Sequence, residues 1–378
     1  MPTYPVTIDQ VRRYRMQRSG LLAPYASPEA AAGALFGVQA QILPAAGIAL
    51  WNRTTGLTHD RFEELLFTQR TLVKLWGQRG TLHLYPSAEW PLVYSAIAAG
   101  KTWWGASAEK EERYTDYNAL VEQVAVILRQ RDTMGRTDLR SLGLALDDDH
   151  LSPWGGIFAD LVRRGYACHC GRSENEGMFA AREFWLPELT WNPPAAEAAN
   201  LEALRRYLHV FGPSTVKDFA YWRGAKITNA HRWWGMLQDG LVEVDVDGAA
   251  QTMLRDDVDD LLAAPADAPW PLHMLYRFDP LLLAHKDKQW IVPATHYSQV
   301  WRPAGHIEGI VLVGGQAAAT WRYDRKGSGL IITVQPFRKL TKTVQKQIGR
   351  TAVQIAGFFG TPLTDLRWHP IFESNESP

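Results

Sequence analysis

The chain has 378 residues, 46% of them hydrophobic, with 40 Lys+Arg balanced by 40 Asp+Glu and only two cysteines. That length exceeds one ordinary core and predicts two to four domains. The apolar content excludes a disordered chain, and a net charge of zero means that any case for nucleic acid must come from local clusters. There is no run of about 18 apolar residues, so no membrane span is expected. The opening "MPTYPVTIDQVRRYRMQRSG" lacks the apolar stretch of a signal peptide, which makes the cytoplasm the simplest location.

The first segment, residues 1–112, reads as helices at "IDQVRRYRMQRSG", "SPEAAAGALFGVQAQ", "PAAGIALWNRT" and "HDRFEELLF", then a β-ribbon at "LVKLWGQRGTLHLYP". Ser27 supplies an N-cap, with Pro28 in the first-turn position that suits proline. Pro44 disfavours helical geometry at Leu43, so residues 39–43 are predicted to lie where one helix ends and the next begins. Two glutamines stand there in otherwise apolar sequence: Gln39 and Gln41 of "FGVQAQILPAAGIALWNR". On a regular helix, positions two apart point about 200° apart. In a broken or extended segment they share a side, and both amides can serve one pocket. The other reading is that they satisfy loose carbonyls at a helix end. In "WGQRGTLHLYP", Arg79, Thr81 and His83 are expected to alternate onto one strand face, a polar surface suited to a phosphate backbone. A solvated ribbon with one core histidine is the alternative.

The second segment, residues 113–195, gives a helix at "NALVEQVAVILRQ", a break at "MGRTDLRSL", a helix at "PWGGIFADLVRRG" and strands at "YACHC" and "FAAREFWL". Cys168 and Cys170 are too close in sequence for a disulfide. No second ligand pair accompanies them and His169, so no metal site is expected. The third segment, residues 196–264, repeats the order: a helix from Leu201 to Leu208, a break and cap at "GPST", a second helix with Val216 and Phe219, and a third capped by Thr228 or Asn229 and closed by Gly240. "LVEVDVDGAAQTML" then reads as a hairpin turning at Asp247-Gly248. Three helices and a ribbon make a winged helix-turn-helix unit.

After the linker "AAPADAPWP", residues 265–378 are rich in short β runs ("HMLYRF", "PLLLAH", "QWIVPA", "GIVLVGG", "AAATWRYD", "LIITVQPF") and read as a curled antiparallel sheet or barrel closed by a final helix, "KTVQKQIGRTAVQIAGFFG". Basic residues gather here at Arg322, Arg325, Lys326, Arg338, Lys339, Lys342, Lys346 and Arg350, with Asp324 the only acid among them. Contacts to DNA are local, so one basic lobe suffices to bind it; a solvated basic helix is the other reading. The pairs Trp103-Trp104 and Trp233-Trp234 suit base stacking or core filling. The chain contains no P-loop, G-x-G-x-x-G or G-x-S-x-G, and no metal or cofactor is expected.

At "QAQ", "RGTLHL", "FGPSTVKDFAYWRG" and "FDPLLL…DKQWIVP…GGQAAATWR" the chain resembles the AlkZ/YcaQ family of winged-helix DNA glycosylases, over nearly its whole length and with the parts in the same order. The resemblance implies an α+β fold of three tandem winged helix-turn-helix units plus a C-terminal antiparallel β-barrel, C-shaped around DNA. It places the family's Gln-apolar-Gln catalytic signature on Gln39, Ala40 and Gln41. It also implies a monomeric, monofunctional glycosylase without lyase activity, acting on double-stranded DNA that contains alkylated guanine. The expected lesions are cationic, bulky or crosslinked N7-alkylguanines, and the expected role is self-resistance to an alkylating antibiotic of the azinomycin, pluramycin or trioxacarcin type. The two amides would position the attacking water. Arg322, Arg325 and Lys326 read as a groove probe, with Arg338, Lys339, Lys342 and Lys346 on phosphates, joined by Arg79, Thr81 and His83. Ile42 follows the motif where the family frequently has an acidic residue, so the electrostatics beside the amides differ here. Two other classes stay open from the residues alone: a winged-helix regulator reading a major groove with residues 225–238, and a protein that sequesters an aromatic drug in Trp-rich clefts.

Overall fold

The computed structural model describes residues 4–97, 102–174, 176–265 and 268–372. The chain divides into two compact units: residues up to Phe62 together with those from Leu204 onward, and Glu63–Ala203. The first segment opens with β1 (Tyr4–Val6), α1 (Ile8–Arg18), α2 (Pro28–Ala34), β2 (Val38–Gln39), α3 (Leu43–Trp51) and α4 (His59–Phe67). Ser27 Oγ accepts the Ala30 amide at 3.1 Å, with Pro28 in the first turn of α2 as its sequence requires.

The second unit carries β3 (Leu72–Trp76), β4 (Leu82–Pro86), α5 (Trp90–Ile97), α6 (Trp103–Lys110), α7 (Tyr114–Arg129), β5 (Thr133–Met134), α8 (Arg136–Arg140), α9 (Ile157–Arg163), β6 (Ala167–Ser173), β7 (Glu176–Ala181) and α10 (Arg182–Trp185). Its strands lie in the order β4-β3-β6-β7-β5. Two local readings shift. The expected helix at "PWGGIFADLVRRG" starts only at Ile157, because Gly155 and Gly156 hold φ of 139° and 53°. "REFW" turns helical where a strand was expected. Both cysteines are free thiols.

The chain then returns to the first unit through α11 (Ala196–Phe211), α12 (Val216–Arg223), α13 (Ile227–Met236), β8 (Leu241–Val246), β9 (Ala249–Leu254) and α14 (Val258–Leu262). Thr215 and Asp218 form the capping box of α12. The turn of the β8–β9 hairpin is Asp247-Gly248, both with positive φ (49° and 90°), as a two-residue hairpin loop demands. Neither Thr228 nor Asn229 caps α13: the helix begins two to three residues earlier, after Lys226. Gly240 closes a short 3-10 turn instead of serving as a helix C′ residue.

Strand β1 pairs in parallel with β8, and Val6, Val11 and Tyr14 share one core with Val242, Val244, Val246, Met253 and Leu261. The N-terminal strand and α1 thus pack into the core of the 196–264 segment. The basic run of α1 is also interior. Arg15 is buried under the Trp290 ring and donates to the carbonyls of Phe211 (3.1 Å) and Pro213 (2.6 Å). Burial pulls its pKa down to about 10.

The last segment holds β10 (His273–Leu275), α15 (Pro280–Leu283), α16 (Tyr297–Val300), β11 (Trp301–Arg302), β12 (His306–Ile307), β13 (Gly309–Val313), β14 (Gln316–Lys326), β15 (Gly329–Pro336), α17 (Lys342–Phe358) and β16 (Leu363–Trp368). The expected antiparallel barrel is corrected here. Among the described residues the main sheet is open, in the order β10-β13-β14-β15-β16, with β15 and β16 parallel. The cause is α17: as the crossover between two neighbouring strands it makes them parallel, and its apolar face (Ile348, Ala352, Ile355, Phe358) covers the sheet. "PLLLAH" becomes α15 because Asp279 caps a helix with Pro280 at its start. Of the linker "AAPADAPWP", residues 266 and 267 lie outside the described residues. No helix among the described residues is long and apolar enough to cross a membrane.

Candidate active site

Gln39 and Gln41 lie where α2 has stopped and α3 has not begun. The proline geometry predicted this break. Val38 and Gln39 are extended, Gln41 and Ile42 form a bend, and α3 starts at Leu43 with Pro44 in its first turn. Ala40 is fully buried, Gln39 keeps 7% exposure and Gln41 is exposed. The central small residue faces the core; of the flanking residues Gln39 is buried and Gln41 lies at the surface.

Both ends of this segment are anchored. At its start, α2 ends in a Schellman arrangement: Gly37 N–H donates to Ala32 O (2.8 Å) and Phe36 N–H to Gly33 O (3.0 Å). The left-handed position falls on Phe36 (φ 49°), a bulky residue for which this conformation costs on the order of 1–2 kcal/mol. Surrounding groups hold it there. The Phe36 ring is 1% exposed, its centroid 6.2 Å from that of Trp222 in α12 and 5.9 Å from the Arg206 guanidinium carbon. Arg206, in α11, also donates to Gly33 O at 2.8 Å. One side chain thereby holds both the Gly33 carbonyl near the end of α2 and the ring of the strained residue three positions before Gln39.

At the other end, α3 is buried from Ala45 through Leu50. Gly47 lets the helix approach its neighbours closely: a Cβ there would lie 3.0 Å from Phe358 and 3.2 Å from Phe62. Arg53, just beyond α3, forms a two-pronged ion pair with Asp279, both bonds 2.8 Å and both side chains fully buried. Asn52 adds a bond to Met274 O at 3.2 Å. Ile42 precedes α3 without giving it a side-chain cap.

Arg206 and Phe36 were missed in the sequence, because nothing in "EALRRYL" points to a motif some 170 positions away. For the base excision that the resemblance implies, Arg206→Ala is expected to lower the rate about tenfold, on the scale of small misplacements at a reacting centre. Duplex affinity should stay unchanged. Single-turnover kinetics beside a binding titration read both.

The ribbon reading is corrected in part. β3 and β4 do pair, but Arg79 lies in the turn between them, with φ 54°, and not on the strand. Gly77 and Gly80 tighten that turn, so alternation starts only at Leu82. His83 is 1% exposed, with Nδ1 3.0 Å from Thr81 O. The three residues do not form one exposed polar face. The basic lobe fares differently: Arg322, Arg325, Lys326, Arg338, Lys339, Lys342 and Lys346 are all exposed. Arg325 and Lys326 sit at the tip of the β14–β15 hairpin, which turns through Gly327 and Ser328. Lys342, Lys346 and Arg350 follow one another at four-residue spacing on the outer face of α17. Trp233 is a core residue packed edge-on to Phe219, and the Trp103 side chain lies outside the described residues.

The family model for AlkZ-like DNA glycosylases matches residues 32–358, which includes the two-glutamine segment, both its anchors and the C-terminal sheet except its last strand, β16. The chain belongs to the AlkZ-like DNA glycosylase family. A curated relative, the interstrand DNA cross-link repair glycosylase of Streptomyces sahachiroi, is 28% identical over 375 residues, covering 95% of this chain and 98% of the relative. The solved structure of the DNA glycosylase AlkZ from that organism superposes with a TM-score of 0.81 at 25% identity, over 97% of this chain and all of that one. The mixed α+β architecture is therefore that of an AlkZ-like DNA glycosylase. The regulator and sequestration readings give way to an enzyme of DNA repair.

Proposed function

We propose that this glycosylase is a monofunctional, monomeric hydrolase of N7-alkylguanine lesions, including bulky and crosslinked ones, with Gln39 and Gln41 positioning the attacking water. The observation that carries the reading is the anchored segment: two amides two residues apart, Gln39 buried to 7% exposure and Gln41 exposed, on a backbone clamped at both ends. A glutamine amide offers one acceptor oxygen and two donor hydrogens and does not titrate near neutral pH. Two of them can hold a water with a lone pair aimed at C1′ of the deoxyribose, a contribution of position and not of basicity. Position suffices when the base departs readily. Alkylation at N7 gives guanine a positive charge that is neutralised as the glycosidic bond breaks, whereas a neutral base needs a stronger acid.

Crosslinked substrates are supported by the activity in the name of the Streptomyces relative. Adducts of that bulk fit poorly into a snug flipping pocket, so the enzyme would bring its amides to the lesion in the groove. The helix–helix–helix–ribbon runs at 113–195 and 196–264 serve as winged-helix units, with a first one at residues 1–112. The hairpin tip Arg325–Lys326, with Arg322, probes the groove, and Arg338, Lys339, Lys342 and Lys346 bind phosphates. Of the ribbon residues, Arg79 and Thr81 remain as phosphate contacts; buried His83 supports their turn. The biological role is self-resistance to an antibiotic that alkylates DNA, working in the cytoplasm.

The test is incubation with a duplex oligonucleotide bearing one defined N7-alkylguanine, followed by gel analysis with and without alkali. Cleavage is expected only after alkali, since hydrolysis leaves an intact abasic site. Cleavage without alkali would reveal a lyase and overturn the monofunctional reading. No cleavage in either lane would overturn the substrate.

A further inference from the structure

A second site lies on the C-terminal sheet, on the opposite face from α17. In β14 and β15 the directly paired residues are Thr320 with Gln335 and Arg322 with Thr333. Direct pairs share a face, so four polar side chains stand together there. The alternate residues Trp321, Ile332 and Val334 are buried on the other face. The chain from Ser298 to Glu308 and the stretch His369–Phe372 border the polar face and leave a cavity of about 360 Å³. That volume falls within the range of small-molecule sites.

Polar groups line the walls. Thr320 and Thr333 are each 7% exposed and border the cavity. The Gln299 carbonyl oxygen, also in the lining, is buried without a partner. Burying such groups is costly unless something bonds to them. The charge balance is positive. The one carboxylate in the lining, Glu308, is met by Arg302 at 3.2 Å, Arg277 at 3.5 Å and His306 at 3.3 Å. Arg322 has no ion-pair partner among the described residues, although exposed Asp324 follows two positions on.

Two hydroxyls beside an uncommitted guanidinium can donate to an anion with several acceptor oxygens. The space exceeds what a lone phosphate fills, and it is bordered by an aromatic ring (Phe372) and a buried amide acceptor. We propose that this cavity binds a nucleotide through its phosphoryl group, on Arg322, Thr320 and Thr333, with the nucleoside toward Phe372 and Gln299. The nucleotide is either a unit of the DNA strand or a free mononucleotide. The site shares Arg322 with the proposed groove contact and so rests on that reading for this one residue, but it involves neither Gln39 nor Gln41 and is tested without turnover.

Deoxyguanosine 5′-monophosphate titrated into the full-length protein, read by calorimetry, is expected to bind saturably, and deoxyguanosine without phosphate is not. Arg322→Gln should weaken binding at least tenfold, in line with loss of a charge-assisted bond. Thr320→Val combined with Thr333→Val, which preserves shape, should weaken it several-fold with an unchanged melting curve. Displacement of the nucleotide by undamaged duplex would identify the DNA strand as its source; undiminished binding beside saturating duplex would identify the free nucleotide. No saturable binding at low millimolar concentration overturns the proposal. So does equal binding of deoxyguanosine, or equal binding by Arg322→Gln. The Arg322 substitution is exposed and keeps the test open if the threonine variant fails to fold.

Discussion

Gln39→Ala and Gln41→Ala are each expected to cut the single-turnover rate of N7-alkylguanine excision by about 100-fold or more, while duplex affinity stays within about twofold. The size follows from the loss of near-attack positioning at one reacting centre. Both amides hold the same water, so their effects should not multiply: the double variant should be little slower than either single one, as for residues that act as a unit. A further consequence concerns pH. No titrating group stands in the proposed role of base, so the excision rate should be flat from about pH 6 to 9, provided that duplex binding is saturated. A carboxylate or histidine base would produce a slope across its pKa. Rates measured on a defined lesion for the four proteins across that range check both points. Full residual excision by the double alanine variant would remove the mechanism.

Asp279→Ala is expected to be the most destabilising single change near the site, by about 3–5 kcal/mol, because it leaves the Arg53 guanidinium buried without its counter-charge. It also removes the acceptor for the Leu281 amide at the start of α15. The thermal midpoint should fall on the order of 10 °C. A double variant, Arg53→Met with Asp279→Leu, should recover part of this loss, since the uncompensated charge is gone; the unsatisfied Leu281 amide keeps it below the parent. Calorimetric melting of the three proteins decides the point. The same pair ties the end of α3 to the segment before α15, so the single variant should lose activity along with stability. A drop in the midpoint no larger than that of a surface substitution would show that water reaches the pair.

Much of this was legible in the residues because local chemistry set it. Ser27-Pro28 and Pro44 bracket the two helices around Gln39 and Gln41, Thr215 and Asp218 start α12, and Asp247-Gly248 turns a hairpin. Each is a short-range effect of a dihedral or a capping bond, and each folds as read. What the residues did not announce is also physical. Arg12, Arg13 and Arg15 of α1 satisfy buried carbonyls, because their partners arrive from residues near 211, 268 and 290. The barrel was expected from strand count, but closure depends on how edges meet, and α17 makes the last pair parallel.

By itself the sequence determined the helix break, the amides within it and the basic hairpin, since proline, capping residues and glycine act over a few positions. The tertiary structure alone decided that Phe36 is held in a left-handed turn by Arg206, that Arg53 meets Asp279, and that two threonines face an open cavity. The first two contacts join positions 170 and 226 residues apart, and chain separation of that kind leaves no periodic or local signal from which to read them.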